Sequence, residues 1–174
     1  DPERQTELVE RSFVSPGYFE AMGIPLLAGR AMDPNEGTDA ERVAVVNRAF
    51  VDHFWPNQNA LGQRIRQDAE PSKWSAVVVG VVENVRQWGA EYRALPEIYQ
   101  PYHNYPEPDS MLVVRGTGKV TTLVPEIRRQ VLDLDRALEE LPPRPRIASV
   151  PRQLRRDQQV GHGRRPVRRV VPDA

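Results

Sequence analysis

The chain contains no cysteine, which excludes disulfides, thiolate nucleophiles and cysteine-ligated zinc. Long apolar runs are missing as well: the longest, around Ala76 to Val82, falls far short of the ~18 residues that cross a bilayer. Histidine is scarce, with only His53, His103 and His162 to act as base or metal ligand. There is no net charge, since 24 Lys and Arg balance 24 Asp and Glu. That balance conceals a division. Residues 151–174 hold seven arginines against Asp157 and Asp173, so residues 1–150 carry the compensating negative excess. A mildly acidic body does not suit nucleic acid, and the arginine-rich end has no aromatic residue on which a base could stack. No nucleic-acid partner is expected.

Proline, by contrast, is plentiful, with 17 in 174 residues. This exceeds average usage and implies short, turn-bounded elements. The length suits one ordinary domain or two small subdomains on one backbone. Beginning at Asp1 with no apolar leader, the chain reads as a soluble piece of something longer.

Residues 7–14 suit an extended segment, because Pro16 pushes Ser15 away from helix. A short helix is expected from Pro16 through Met22, stopped by Gly23 and barred from continuing by Pro25. Ile24, Leu26 and Leu27 are expected to pack inward, and Gly29-Arg30 leads into an exposed loop at 33–41. Val43–Val46 reads as a buried strand, with Asn47 as N-cap of a helix that places Phe50, Val51 and Phe54 on one face. Burying the two phenylalanines contributes roughly 1.5–3 kcal/mol each.

Pro56 closes that helix, Leu61-Gly62 turns the chain, and Arg64–Arg66 forms a short strand. Trp74–Val82 is apolar on both faces and β-branched, as a central strand would be, with Gly80 marking a bulge or a close backbone approach. Glu97–Tyr99 is a further strand, followed by a stiff loop rich in proline from Pro101 onward. Leu112–Arg115, a helix capped by Thr121 or Thr122 with Leu123, Ile127, Val131 and Leu134 on one face, and Arg146–Val150 make a β-α-β unit. From Pro151 the periodicity stops, and 151–174 reads as a basic disordered tail.

None of the chemistry-bearing residues forms a recognisable site. Asp52 and His53 are adjacent on the expected helix and face different ways, so a hydrolase built on Ser15, Asp52 and His53 lacks its geometry. His103, Glu107 and Asp109 are the only close cluster of potential ligands, on a loop with nothing rigid to hold them. Gly116-Thr-Gly-Lys119 fails as a phosphate loop, because Val113 and Val120 occupy the positions that need Gly and Ser or Thr. The acidic pairs Glu139-Glu140 and Asp133 with Asp135 flank a helix end, where acids are commonplace. No catalytic residue, metal or cofactor is expected.

Five blocks stand in a telling order: VSPGYFEAMGIPLLAGR (14–30), VAVVNRAFVDHFWPNQNALGQRIR (43–66), WSAVVVGVVENVRQWG (74–89), EIYQPY (97–102), and LVVRGTG with LVPEIRRQVLDLD (112–135). Together they resemble the extracytoplasmic domain of MacB-like, FtsX-like ABC transporter permeases, over roughly residues 8–150. The resemblance implies an α+β fold with a mixed sheet and packed helices. A small mixed α/β part (14–102) and a β-α-β porter-like part (112–150) would make up a core domain at 1–150 that lacks part of its amino-terminal side. The family pattern continues into a membrane helix where this chain has its basic tail, so the tail reads as a truncated or frame-altered end.

The implied role is non-catalytic: an outer domain, on the periplasmic or extracellular face of the membrane, that relays the motion of a cytoplasmic ATPase to substrate or partner. The implied partners are that ATPase, a second permease copy and a periplasmic or extracellular protein. On this reading Pro16, Tyr18 and Phe19 set the entry and packing of the first helix, and Gly23, Pro25 and Gly29 turn the chain back to the sheet. Asn47, Phe50, Phe54, Trp55 and Pro56 anchor the second helix, while Gly62, Gly80, Tyr99 and Pro101 shape turns and strands. The alternative is a protein- or peptide-binding module without a transport role, using Tyr102 and Tyr105 on the proline-rich loop.

Overall fold

Five valines and an alanine between Trp74 and Val82 cannot be kept dry by one sheet face, and the segment forms a strand in which only Ser75 is exposed. Around it the computed structural model describes residues 8–33, 36, 42–67, 74–85, 93–104, 110–134, 165–168 and 170–172. The elements are β1 (Leu8–Val14), α1 (Tyr18–Met22), β2 (Leu26–Gly29), β3 (Val43–Asn47), α2 (Arg48–Phe54), β4 (Arg64–Gln67), β5 (Trp74–Val82), β6 (Glu97–Pro101), a 3-10 turn (Tyr102–Asn104), α3 (Val120–Leu134), β7 (Arg165–Arg168) and β8 (Val170–Pro172). The chain forms two compact units, Asp1–Val113 with Arg156–Ala174, and Val114–Arg155.

The first unit is one mixed sheet in the order β7-β1-β6-β3-β5-β4-β8, with β2 added on β5. β1 pairs parallel to β6 and β3 parallel to β5, while β3 with β6, and β5 with β4 and β2, pair antiparallel. Burial of both faces explains why β3 and β6 are enclosed at every position. One face carries α2 over Val46, Val78, Ile98 and Ile65; the other carries α1 over Val14, Val45, Val82 and Tyr99. The fold is α+β with a mixed sheet and packed helices, as the resemblance implied.

Within the stretch expected to lack structure, β7 pairs antiparallel with β1 and β8 antiparallel with β4. Only Arg169 separates β7 from β8, and two Cα–Cα steps span less than about 8 Å. β1 and β4 thus pair with neighbouring parts of one short segment. Val167 and Val170-Val171 supply the β-branched residues for it, a signal masked in the sequence by the surrounding arginines.

In the second unit α3 presents Leu123, Val124, Ile127, Val131 and Leu132 half-buried, with Arg129 pairing Glu126 at 2.7 Å on the exposed side. The helix begins at Val120, before the expected threonine caps, and Thr122 Oγ1 donates back to the Lys119 carbonyl at 2.8 Å.

Two further expectations are corrected. Leu26 and Leu27 do not pack inward: they are 44% and 40% exposed on β2, a strand added on one edge of β5 that no element among the described residues covers. Leu112–Arg115 is not a strand. With no ladder partner among the described residues, Leu112 remains 67% exposed, and the first strand of the expected β-α-β unit is missing. Its last, Arg146–Val150, lies outside the described residues.

Candidate functional site

The opening block builds one aromatic cluster. Pro16-Gly17 makes a turn in which Tyr18 N–H donates to the Ser15 carbonyl at 3.2 Å, so α1 starts at Tyr18 and not at Pro16. Gly23 ends it in the left-handed region (φ 69°), its N–H returning to Glu20 at 3.0 Å, while Ile24 N–H reaches the Phe19 carbonyl at 2.8 Å. Held this way, Phe19 meets Tyr99 edge to face with centroids 5.0 Å apart, and Tyr18 meets Phe19 at 5.6 Å. Such pairs contribute about 0.5–1.5 kcal/mol each beyond area burial.

Gly29 and Gly80 explain the spacing of the block's glycines. They sit opposite each other in the β2–β5 pair. A Cβ on Gly29 would collide with the Val79 carbonyl and the Leu61 side chain, and one on Gly80 would collide with the Arg30 carbonyl. Gly29 also holds φ 71°, a left-handed value that side chains resist. Two backbones thus cross in contact, and Arg30 N–H donates to the Val79 carbonyl at 3.0 Å.

Beyond the crossing, Arg30 clasps Glu36, with NH1 to Oε2 at 3.0 Å and a close NH2–Oε1 contact, while Asp33 N–H donates to Oε2 at 2.6 Å. The Arg30 hydrogen bond holds the Glu36 carboxyl below its ordinary pKa, against the opposing effect of partial burial, and raises that of Arg30. A depressed carboxylate adds stability that is complete above its ordinary pKa and disappears as pH falls through the depressed value. Glu36→Gln is therefore expected to cost about 0.5–1 kcal/mol at neutral pH, and its urea unfolding curve should converge on that of the wild type in acid.

On the other face Asn47 is fully buried and makes three bonds. Its Oδ1 accepts from Phe50 N–H at 2.9 Å and Glu97 N–H at 3.0 Å, and its Nδ2 donates to the Leu95 carbonyl at 2.8 Å. One side chain caps α2 and ties β3 to the start of β6. Phe50 then packs on Phe54 at 4.5 Å and Trp55 at 5.4 Å. Asn47→Ala strands two N–H groups and a carbonyl and should lower stability by about 2–3 kcal/mol, measurable as a shifted urea midpoint with unchanged slope.

Pro25 follows α1, its carbonyl accepting from Glu83 N–H at 2.9 Å; Pro56 is exposed after α2, and Gly62 N–H donates to Val78 at 2.8 Å. Pro101 is buried at the end of β6. The Tyr102 hydroxyl accepts from Ser110 Oγ at 3.0 Å, and Tyr105 lies outside the described residues.

Asp52 and His53 are exposed on α2, with the imidazole edge-on to Phe54 at 4.6 Å; Ser15 is exposed before α1. Glu107 and Asp109 lie outside the described residues, among which no group of three or more His, Asp or Glu could hold a metal. No described helix is long and apolar enough to cross a membrane.

Sequence reasoning missed Glu97. It is 1% exposed, accepting from Ser12 Oγ and from the Tyr99 hydroxyl, each at 2.8 Å. The available signal was a charged residue heading an apolar strand. The structure thus brings together aromatic packing, glycine contact and buried hydrogen bonds around one sheet.

The sequence profile of the MacB-like periplasmic core domain matches residues 2–134. The chain belongs to that family. As a MacB-like periplasmic core domain it is an extracytoplasmic part of an ABC transporter permease. Its fold is similar to the periplasmic region of MacB from Actinobacillus actinomycetemcomitans, at 15% identity and TM-score 0.50, over 76% of this chain and 66% of that one. The chain thus spans just under two thirds of that region. A further similarity, at 16% identity and TM-score 0.38 over 53% of this chain and 43% of that one, is to the extracellular domain of the noncanonic ABC-type transporter YknZ from Gram-positive bacteria. Among curated proteins none matches the chain.

Proposed function

We propose that this MacB-like periplasmic core domain is a stiff, non-catalytic body that passes ATPase-driven movement to a substrate or partner outside the membrane. The observation that carries the reading is the interlock at Gly29 and Gly80, flanked by an aromatic cluster on each face of one sheet. Close-packed elements displace together rather than deform. No cofactor enters this reading. Its partners are a cytoplasmic ATPase, a second permease copy and an outer protein.

The test is a full-length permease of this family in which residues 8–134 are exchanged for a flexible linker of equal span. Transport should be lost while nucleotide hydrolysis persists; transport at the parental rate would overturn the proposal. Contact with the outer protein is assigned to Tyr102 and Tyr105. Replacing both by Ala should release that protein from a pull-down with the intact permease, and retention would move the contact elsewhere.

A further inference from the structure

Among the described residues five polar or charged side chains are buried, and four of them, Arg11, Ser12, Glu97 and Gln100, lie on the parallel pair β1 and β6. The fifth, Asn47, bonds to the N–H of Glu97 at 3.0 Å. β3 and β5 carry no buried charged side chain. A buried polar group can specify register, because a wrong pairing leaves it without its partner.

Register is in question for this pair. A one-residue slip of β1 would exchange its faces, but a two-residue slip returns every side chain to the same side. The apolar pattern of Val9, Phe13 and Val14 therefore does not by itself select the observed alignment, Glu10 opposite Glu97 and Ser12 opposite Tyr99.

We infer that Glu97 is a register stop that holds β1 against β6 in one direction while the Pro16-Gly17 turn holds it in the other. Displacing β1 two residues toward its own C-terminus would set Ser12 opposite Pro101 and Glu10 opposite Tyr99. The buried Glu97 carboxylate would lose the Ser12 hydroxyl, now 2.8 Å away, and Glu10 would carry a second carboxylate toward it. Displacement the other way would set Pro16 opposite Pro101. Pro16 has no N–H for a ladder, and the turn closed by Tyr18 N–H on the Ser15 carbonyl would have to open. Tyr99, donating to Glu97 at 2.8 Å from the same strand, fixes the carboxylate in place.

The test reads register directly, by interstrand nuclear Overhauser contacts in the isotopically labelled 174-residue chain. The wild type should show Ser12–Tyr99 contacts alone. Glu97→Met keeps side-chain length and removes the stop, and should add a second set of β1 signals with Glu10–Tyr99 contacts in about one molecule in ten, the upper end of the population of a minor state. A dispersed Glu97→Met spectrum with the native contacts alone overturns the inference. Should Glu97→Met fail to fold, Tyr99→Phe decides. Amide exchange is expected to accelerate about tenfold in β1 while β3 and β5 stay protected, as in local opening. Uniform acceleration through the sheet would reduce Glu97 to a stabilising residue and overturn its role as a stop.

Discussion

Gly29→Val should leave the first unit without a cooperative unfolding transition. Two costs coincide at this position. The backbone holds φ 71°, where a β-branched residue is strained by roughly 1–3 kcal/mol, and the new side chain would have to occupy the space of the Val79 carbonyl, the Leu61 side chain and the Gly80 backbone. Backbone cannot rotate away as a side chain does. Relief requires β2 to leave β5, which would also break the bond from Arg30 N–H to Val79 and the clasp to Glu36 that follows it. We expect a loss above about 4 kcal/mol, in the range reserved for such named mechanisms. Circular dichroism through a thermal ramp checks it, and a sharp transition within a few degrees of the wild type would refute the crossing as described.

Phe50→Ala comes next. The ring is wholly buried in the cluster that includes Val46 and Ile98 of the sheet, and it packs on the rings of Phe54 and Trp55. Truncation forfeits the transfer free energy of the ring and leaves a cavity that α2, pinned by Asn47 at its start, cannot move to fill. The expected loss is about 3–5 kcal/mol, read as a lower urea midpoint with unchanged slope. Phe54→Ala should cost less than half as much, because that ring is only half-buried. Equal losses would mean that burial does not rank the two positions.

These two residues were readable in the sequence for different reasons. Phe50 belongs to a local pattern: an N-cap asparagine, an apolar face at helical spacing and a closing proline lie within ten residues, so no distant partner is needed to recognise them. The β-branched run of β5 is equally local. Gly29 and Gly80 were each visible as turn or bulge positions, but their mutual contact was not, because it depends on how β2 folds back across fifty residues.

What failed to be legible is what depends on partners. Leu112–Arg115 has strand composition but no ladder partner among the described residues, so Leu112 and Val114 stay exposed. Leu26 and Leu27 look like core residues and sit on a strand that no element among the described residues covers. β7 and β8 are too short, and too closely set among arginines, to announce themselves, and they pair with β1 and β4. Glu97 is the same lesson on the polar side. Its hydroxyl partner Ser12 stands 85 residues away, a distance over which no periodicity operates.

Rigidity of the first unit is the claim on which the mechanical reading depends, and spin-label distance measurement tests it most directly. Labels are placed on cysteines introduced at Glu20 on α1 and Asp52 on α2, both exposed and on opposite faces of the sheet, after any cysteine elsewhere in the permease has been replaced. In a full-length permease with its ATPase, the account predicts one narrow distance distribution between them that does not change with nucleotide. A shift or broadening between nucleotide states would contradict it, showing that the sheet deforms instead of moving as one body.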